Sequence, residues 1–530
     1  MGSYLNPGNI GFCKSLNSRI YVDKTALIEK MNAVLNTRQE FICVSRPRRF
    51  GKSMAADMLA AYYDRSEDSS KLFESLEISR AESYKKYLNQ YDVIKVNMQE
   101  FLSTAADMDE MLQTLQSRII ADLKRAYPDY VDNSHLVFVM QDIFACTKHP
   151  FVILIDEWDC FFREYQYDKE AQKKYLDFLR AWLKDKDYIA LAYMTGILPI
   201  KKYGSHSALN MFTEYSMTEP GELAEYFGFS ENEVRALCED YKMSFEETKA
   251  WYDGYRMVTH TEDGDRCYSM YNPKSVVEAM LRHRFGTYWN QTETYEALKA
   301  YIQMDMDGLK DAVIRMMAKE EIPINTGTFS NDMTTFATKD DVLTLLVHLG
   351  YLTYNGELST VTIPNKEVSQ EYVNVISTMD WQEVIRSVED SGKLLESLWN
   401  MDGRAVAEGI DLAHNEISIL RYNDENALSC TINLAFYFAR EYYTVIRELP
   451  SGKGFADICF IPRKLHMDKP AVVIELKWDK TTSGAIAQIK EKHYVDALKD
   501  YRGNLLLAGI NYNKKTKKHT CVIEKMFKGN

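Results

Sequence analysis

A short apolar run that leads into a basic loop and then into a helix constrains the fold of this 530-residue chain more than any other feature. The run is residues 40–45 (EFICVS), the loop is residues 46–53 (RPRRFGKS), and apolar side chains recur at helical spacing from Met54 onward. Further apolar runs alternate with helical patterns at residues 92–98, 150–159 and 189–196. This alternation predicts a parallel sheet covered by helices on both faces, in a unit that ends near residue 215.

The basic loop matches the second half of the P-loop pattern, in which a glycine is followed by four residues and then by Gly-Lys-Ser or Gly-Lys-Thr. Arg46 stands where the pattern has its first glycine. A strand, a tight loop and a helix start would still turn backbone N–H groups and the positive helix end toward a phosphate. Lys52 would reach the β- and γ-phosphates, and the Ser53 hydroxyl would bind Mg²⁺. We therefore predict an ATP site formed by Arg46, Arg48, Arg49, Phe50, Gly51, Lys52, Ser53 and Met54.

A second motif, VILIDE at residues 152–157, supplies the acids that a nucleotide site needs. Asp156 at the predicted strand end would hold Mg²⁺, and Glu157 would orient or deprotonate the attacking water. Thr195, at the end of the following strand, would sense the γ-phosphate. Lys201 and Lys202 come next and would neutralise phosphate charge, unless they are ordinary solvated lysines.

The middle of the chain is predicted to be mostly helical, acidic and rich in Tyr and Met from residue 216 to residue 325. Residues 338–365 then show a helical pattern followed by two strand-like segments, an order that resembles a winged helix. We favour a lid or adaptor role for this module over DNA reading. The predicted divisions are an ATPase domain at 1–215, a helical domain at 216–335, the winged-helix-like module at 336–370, a helical connector at 371–425 and a nuclease-like domain at 426–530.

The last part of the chain has the predicted order β-β-β-α-β-β and its own candidate chemistry. Asp457 lies on the second strand, and Glu475 and Lys477 lie two residues apart on the third, so their side chains share one face. Two carboxylates and a backbone carbonyl form an oxygen site that suits Mg²⁺, with Mn²⁺ as a second possibility. Lys477 would orient water or stabilise developing charge, so the pattern is typical of metal-assisted phosphodiester hydrolysis.

The spacing of these three residues resembles the D…ExK pattern of the PD-(D/E)xK nuclease superfamily. That resemblance implies roles for Glu448 as an upstream acid, and for Gln488 and Tyr494 as the QxxxxxY helix pair of some branches. Many relatives have a basic residue where Phe455 stands here, which puts one contact to a DNA backbone in doubt. His493, beside Tyr494, is interpreted as a neighbour rather than a participant.

Nearly the whole chain resembles the AAA-ATPase-like family of anaerobic gut bacteria, in which such a P-loop domain is joined to a PD-(D/E)xK nuclease domain. The stretches that carry the resemblance are YLNPGNIGF, SRPRRFGKS, VILIDEWD and YMTGILPIKKYGSHSALNMF. It implies that Arg46 at the first glycine position is a family trait, and that Lys52, Ser53, Asp156 and Glu157 are ATP-site residues. It does not imply that ATP is turned over.

Composition limits the partners. The net charge is −13, which argues against a protein coated with nucleic acid, yet residues 451–530 hold 16 Lys and Arg against 8 Asp and Glu. This local excess permits a polyanion site, although a solvated lysine face at Lys514, Lys515, Lys517 and Lys518 explains it equally well. Nine cysteines without a CxxC pair predict reduced thiols in a cytoplasmic protein and no zinc site. No apolar run is long enough to predict a membrane-spanning helix.

Three functions remain open from the sequence. The first is an ATP-regulated, Mg²⁺-dependent nuclease that acts on DNA. The second is a binding module in which ATP is a conformational ligand and the nuclease fold only holds nucleic acid or protein. If Arg46 filled the phosphate cradle, weak nucleotide affinity would favour this second function. The third is an ATPase that acts on protein partners and keeps the nuclease domain for structure. The oligomeric state is open, since an arginine finger in trans would demand a ring or dimer.

Overall fold

A computed structural model describes residues 2–130, 134–200, 209–261, 264–289, 294–304, 306, 308–330, 333–334, 336–379, 381–416, 425–451, 454–463, 466–491 and 504–526. These residues form two compact units, one made of residues 1–294 and 323–369 and the other of residues 295–322 and 370–530. None of the helices within the described ranges combines the length and the apolar character that crossing a membrane requires. The domain divisions drawn from the sequence remain predictions.

The helices are α1 Ile10–Leu16, α2 Leu27–Val34, α3 Lys52–Tyr63, α4 Ser70–Phe73, α5 Tyr84–Tyr87, α6 Met98–Leu102, α7 Met108–Ala126, α8 Leu136–Thr147, α9 Cys160–Glu164, α10 Lys169–Leu183, α11 Glu231–Tyr241, α12 Phe245–Tyr252, α13 Pro273–Arg282, α14 Thr294–Ile302, α15 Leu309–Met317, α16 Lys339–Leu349, α17 Lys366–Ser377, α18 Gln382–Trp399, α19 Gly403–Glu416, α20 Glu425–Ala435, α21 Ala439–Tyr442 and α22 Thr482–Glu491. The strands are β1 Phe41–Ser45, β2 Asp92–Asn97, β3 Phe151–Asp156, β4 Ile189–Gly196, β5 Thr213–Tyr215, β6 Phe229–Ser230, β7 Tyr255–Thr261, β8 Gly264–Tyr271, β9 Ile322–Pro323, β10 Thr353–Asn355, β11 Thr360–Thr362, β12 Tyr443–Ser451, β13 Gly454–Pro462, β14 Ala471–Trp478, β15 Leu505–Asn513 and β16 Lys518–Met526.

The first unit is built on a five-stranded sheet in the order β2-β3-β4-β1-β5, and every neighbouring pair is parallel. Successive buried side chains of one strand enter opposite cores: Cys43 packs with the helices on one face, whereas Ile42 and Val44 pack with those on the other. This confirms the predicted parallel sheet with helices on both faces. Because all five strands point the same way, the loops after β1, β3 and β4 emerge at one edge.

The middle of the chain is largely helical, as predicted, with helices α11 to α15 between residues 231 and 317. Strands β6, β7 and β8 also form a small antiparallel sheet there, in the order β6-β8-β7, which was not predicted. The helix predicted in residues 338–350 is present as α16, and β10 and β11 pair antiparallel after it. The helix-then-hairpin order is therefore confirmed, while the comparison with a winged helix stays a prediction.

The second unit contains a sheet in the order β12-β13-β14-β15-β16, in which only the β14–β15 pair is parallel. Helix α22 connects β14 to β15, as the predicted β-β-β-α-β-β order requires. Val473 of β14 packs on the α22 side with Ile486 and Ile489, whereas Ile474 packs on the opposite side with α18, α19 and α20. Odd-numbered residues of β14 thus face α22, which places Glu475 and Lys477 on that face.

Candidate functional site

The basic loop between β1 and α3 makes a turn that depends on left-handed backbone conformations. Arg49 has φ +71° and Gly51 has φ +90°, and α3 begins directly afterwards at Lys52. Glycine accepts this conformation without strain, whereas a side chain at Gly51 would be strained even though no atom lies within 4 Å of its Cβ position. The open space at Gly51 and the N-terminus of a twelve-residue helix are the geometry a phosphate requires.

Lys52 is held inside this loop. Its Nζ donates hydrogen bonds to the carbonyl oxygens of Arg46 and Pro47, both at 2.9 Å, and the residue is 5% exposed. Burial lowers the pKa of Lys52, and the nearby carboxylates of Glu157 and Asp156 act against that shift. Lys52 is therefore a positioned ammonium group whose present partners are neutral carbonyl oxygens, which phosphate oxygens can replace.

Arg46 does not fill the phosphate cradle. Its guanidinium is fully buried, donates from Nη1 to the carbonyl oxygens of Ser45 (2.9 Å) and Tyr215 (2.7 Å), and lies 5.5 Å from the centre of the Phe227 ring. Its backbone N–H donates to the Gly196 carbonyl at 3.0 Å. Burial lowers the pKa of Arg46 to about 10. This geometry does not support the prediction of Arg46 as a nucleotide contact, because its side chain packs into the protein below the loop.

The other loop residues divide by exposure. Phe50 is buried, packs edge-to-face on Tyr255 at 5.1 Å between ring centres, and accepts a hydrogen bond on its carbonyl from Gly228 N. Arg48 is half-buried, whereas Arg49, Ser53 and Met54 are exposed. The exposed side chains remain available to a ligand, whereas Phe50 anchors the loop to the protein.

Asp156 and Thr195 meet at the sheet edge, as the strand order requires. Asp156 ends β3 and is 3% exposed, and its Oδ1 accepts from Glu157 N at 3.0 Å and from the Thr195 hydroxyl. Thr195 is on β4, the strand between β3 and β1, and its carbonyl accepts from Trp158 N at 3.0 Å. Lys52, Asp156 and Thr195 therefore come from three elements that converge on one edge of the sheet.

Glu157 is held by a residue that the sequence analysis missed. Arg163 of α9 donates to the Glu157 carboxylate and forms an ion pair with Asp159, with 3.3 Å between Nε and Oδ2. Glu157 also has a left-handed backbone, with φ +53°, and burial raises the pKa of its carboxyl group. The i, i+4 spacing of Asp159 and Arg163 signals their ion pair, although such spacing is common on helices. The spacing of Glu157 and Arg163 gives no such signal.

In the second unit, β13 and β14 bring Asp457, Glu475 and Lys477 together. Asp457 Oδ2 accepts from Leu476 N at 2.7 Å, which ties the Asp457 side chain to the strand that carries the other two residues. Lys477 Nζ donates to Glu475 Oε1 at 2.8 Å, and Gln488 of α22 donates to the same oxygen. Glu475 is 1% exposed and Lys477 is 7% exposed.

The two acids lie together beside α22. Asp457 accepts from the backbone N–H of Leu476, between Glu475 and Lys477, and Gln488 of α22 donates to Glu475. Burial, with a smaller contribution from the charges of Asp457 and Glu475, raises the pKa of the nearby Cys459 thiol to about 12.

The donor set fits Mg²⁺ or Mn²⁺. Within the described ranges, no group of three or more His, Cys, Asp or Glu side chains converges as a complete protein ligand set. Two carboxylates are nevertheless sufficient for Mg²⁺, because that ion keeps several of its waters and binds few protein ligands. Carboxylate oxygens are ligands that suit Mg²⁺ and Mn²⁺. Asp457 and Glu475 would hold the ion.

Several predicted residues cannot be placed. Glu448 is on β12 between Arg447 and Leu449, which pair with Ile458 and Ala456, the two neighbours of Asp457 on β13; its side chain lies outside the described part of the structure. Lys201, Lys202, His493 and Tyr494 also lie outside the described residues. The eight cysteines whose side chains the structure describes are all free thiols.

Comparisons with known proteins identify two domains in the chain. Residues 15–205 match the model of the AAA-ATPase-like family, described as predicted AAA-ATPase, and residues 424–521 match that of a PD-(D/E)XK nuclease superfamily. A curated relative, the uncharacterized protein in vnfD 5'region of Azotobacter chroococcum mcd 1, is 24% identical over 281 residues. The match covers 52% of this chain and 51% of the relative, so the chain spans about half the length of the curated relative that it matches.

Two solved structures of the ORC2 protein of Aeropyrum pernix also match. The ADPNP–ADP complexes give 12% identity and a TM-score of 0.31, and the ADP form gives 10% identity and a TM-score of 0.27. Each match covers 70% of this chain and 98% of the ORC2 chain. At these TM-scores the likeness supports no conclusion about function.

Proposed function

We propose that this chain, which joins an AAA-ATPase-like domain to a PD-(D/E)XK nuclease superfamily domain, is an ATP-binding, Mg²⁺-dependent nuclease that acts on DNA. The observation that carries the proposal is the convergence of three side chains: Asp457 accepts from the backbone N–H of Leu476, and Glu475 and Lys477, the two neighbours of Leu476, bond to each other. The free thiols fit an assignment to the cytoplasm, where cysteines stay reduced.

In the nuclease site each side chain has a separate task. Asp457 and Glu475 would bind the divalent ion, which when bound polarises a phosphate oxygen and lowers the pKa of water. Gln488 holds the Glu475 carboxylate in place from α22. Lys477 brings a positive charge next to the acids, where it would stabilise the charge that develops on the phosphate during hydrolysis. Water adds across one P–O ester bond, and the leaving oxygen takes a proton.

In the ATP site the described side chains would bind the nucleotide and its ion. Lys52 would exchange its two carbonyl partners for phosphate oxygens, and the exposed Ser53 would bind Mg²⁺ together with Asp156. A bound Mg²⁺ neutralises phosphate charge. Thr195 fixes the Asp156 carboxylate through its hydroxyl, and Glu157 lies next to Asp156 in position to orient water once Arg163 releases it.

Cleavage of DNA by the purified full chain tests the proposal. Plasmid and single-stranded DNA are incubated with Mg²⁺ or Mn²⁺, with no nucleotide, with ATP, or with a non-hydrolysable ATP analogue. We expect cleavage that requires the metal and whose rate changes with nucleotide. Absence of cleavage of either DNA under every combination of metal and nucleotide would contradict the proposal.

A second candidate is an ATP-switched binding module that does not turn ATP over. The ion pair between Arg163 and Glu157 favours it, because a glutamate held by an arginine is not free to accept a proton from water. Phosphate release, measured in the same incubations with ATP, separates the two candidates. Nucleotide-dependent DNA binding without phosphate release and without cleavage would favour the second.

A further inference from the structure

The turn between β15 and β16 concentrates positive charge at one edge of the second sheet. It has the sequence Asn-Lys-Lys-Thr-Lys-Lys at residues 513–518, here named the lysine turn. Lys514, Lys515, Lys517 and Lys518 are all exposed. Lys490 of α22, in contrast, pairs with Glu524 of β16 at 2.6 Å. For the four lysines of the turn, the described part of the structure contains no ion pair within 4.0 Å.

The lysine turn is a fixed structure. The Asn513 side chain accepts from Lys515 N at 2.9 Å and from Thr516 N at 3.0 Å, and Lys517 N donates to the Asn513 carbonyl at 2.8 Å. Lys517 has φ +56°, a conformation that closes the four-residue connection between the paired Asn513 and Lys518. An ordered turn holds its charges at set positions, which lowers the entropic cost of binding an extended charged ligand.

The same turn is tied to the strand that carries the nuclease residues. Asp479 follows directly after β14, its N–H donates to the Tyr512 carbonyl at 2.8 Å, and its carboxylate accepts from Lys514 N at 2.7 Å. On the opposite face, the Tyr512 ring packs on Trp478 at 4.8 Å and on His519 at 5.0 Å between ring centres. The base of the turn is therefore locked to the end of β14.

The distance between the turn and the acids matches a nucleic-acid backbone. Glu475 is paired with Gly509 of the parallel strand β15, and Lys514 follows five residues later. At about 3.3 Å per residue, Lys514 lies roughly 17 Å beyond Glu475 along the strand direction. That is about five phosphate steps, since one strand of duplex DNA has a charge about every 3.4 Å of helix axis.

We propose that the lysine turn binds the phosphate backbone of duplex DNA about five nucleotides from the phosphodiester held at Asp457 and Glu475. This inference rests on the proposed function, whose substrate contact it locates. The remainder of the chain is acidic, with a net charge of −13 overall, so a local cationic edge selects where a duplex can approach.

The test is DNA binding without catalysis. Anisotropy of a short labelled duplex is measured in EDTA over a series of salt concentrations, with the full chain and with Lys514→Gln/Lys515→Gln/Lys517→Gln/Lys518→Gln. A matched variant, Lys14→Gln/Lys71→Gln/Lys85→Gln/Lys173→Gln, removes the same charge from exposed lysines of the first unit. Each lost phosphate contact lowers the slope of log affinity against log salt by about 1.

We expect the slope to fall by about 3 to 4 in the lysine-turn variant and to stay unchanged in the matched variant. Equal slopes in the two variants would overturn the inference, and so would a loss of binding to duplex RNA with no loss of binding to duplex DNA. Because the binding assay contains no metal, its result is independent of whether the chain cleaves DNA. The binding result can therefore be interpreted even if the cleavage assay shows no activity.

Discussion

Replacing Asp457 with Asn is expected to lower DNA cleavage by about 10³-fold, because a metal ion supplies several kcal/mol of transition-state stabilisation and each 1.4 kcal/mol is a factor of ten. The amide retains an oxygen that can accept the hydrogen bond from Leu476 N, so the fold is preserved. Cleavage rates and melting temperatures of the variant and the original chain, measured side by side, check both statements.

Substitution of Glu475, unlike that of Asp457, is expected to lower stability as well as activity. Glu475 and Lys477 form a buried ion pair, and removal of one partner leaves the other charge buried and uncompensated, at a cost of about 3–5 kcal/mol. A loss of activity on truncating Glu475 would therefore mix catalysis with stability, which is why Asp457→Asn is the cleaner variant. Cleavage by Asp457→Asn within tenfold of the original rate would contradict the assignment of Asp457 as a metal ligand.

Replacing Lys52 with Ala is expected to weaken binding of Mg²⁺ and a non-hydrolysable ATP analogue by at least about 100-fold. Hydrogen bonds to a charged group contribute about 1.5–3 kcal/mol each, and Lys52 has at least two to give to phosphate oxygens. Calorimetric titration measures the affinity. Lys71→Ala, at an exposed lysine of α4, is the control and should bind as the original chain does.

Affinity of Lys52→Ala within threefold of the control would show that the loop does not bind phosphate through Lys52. The variant also removes a buried ammonium group from beside Asp156 and Glu157. A circular dichroism spectrum and a melting curve of the unliganded variant establish that a loss of affinity reflects the missing side chain and not an unfolded domain.

The sheets were predictable because their strands carry simple signals. Continuous apolar runs such as residues 40–45 and 150–155 belong to strands buried on both faces. Because these runs alternate with helical patterns, they predict a parallel sheet covered by helices on both faces. The β7–β8 hairpin was missed because most of its side chains are exposed or half-buried and it lacks an apolar run.

The candidate sites were predictable only in part. The two-residue spacing of Glu475 and Lys477 fixes a shared face of a strand, and their contact at 2.8 Å follows from that period. Gln488 was identified only through the family resemblance, because the residues around it in the sequence do not indicate which face of α22 packs against β14. A loop pattern also does not reveal side-chain direction, so Arg46 was predicted at the nucleotide, whereas its guanidinium is buried under the loop.

The central claim is that Asp457 and Glu475 together bind one divalent cation. Titration of Mn²⁺ into the nucleotide-free full chain, followed by electron paramagnetic resonance of the free ion, measures this directly. We predict one bound Mn²⁺ per chain that is lost in Asp457→Asn and retained in Lys52→Ala. Mn²⁺ binding that is equal in the original chain and in Asp457→Asn would contradict the claim.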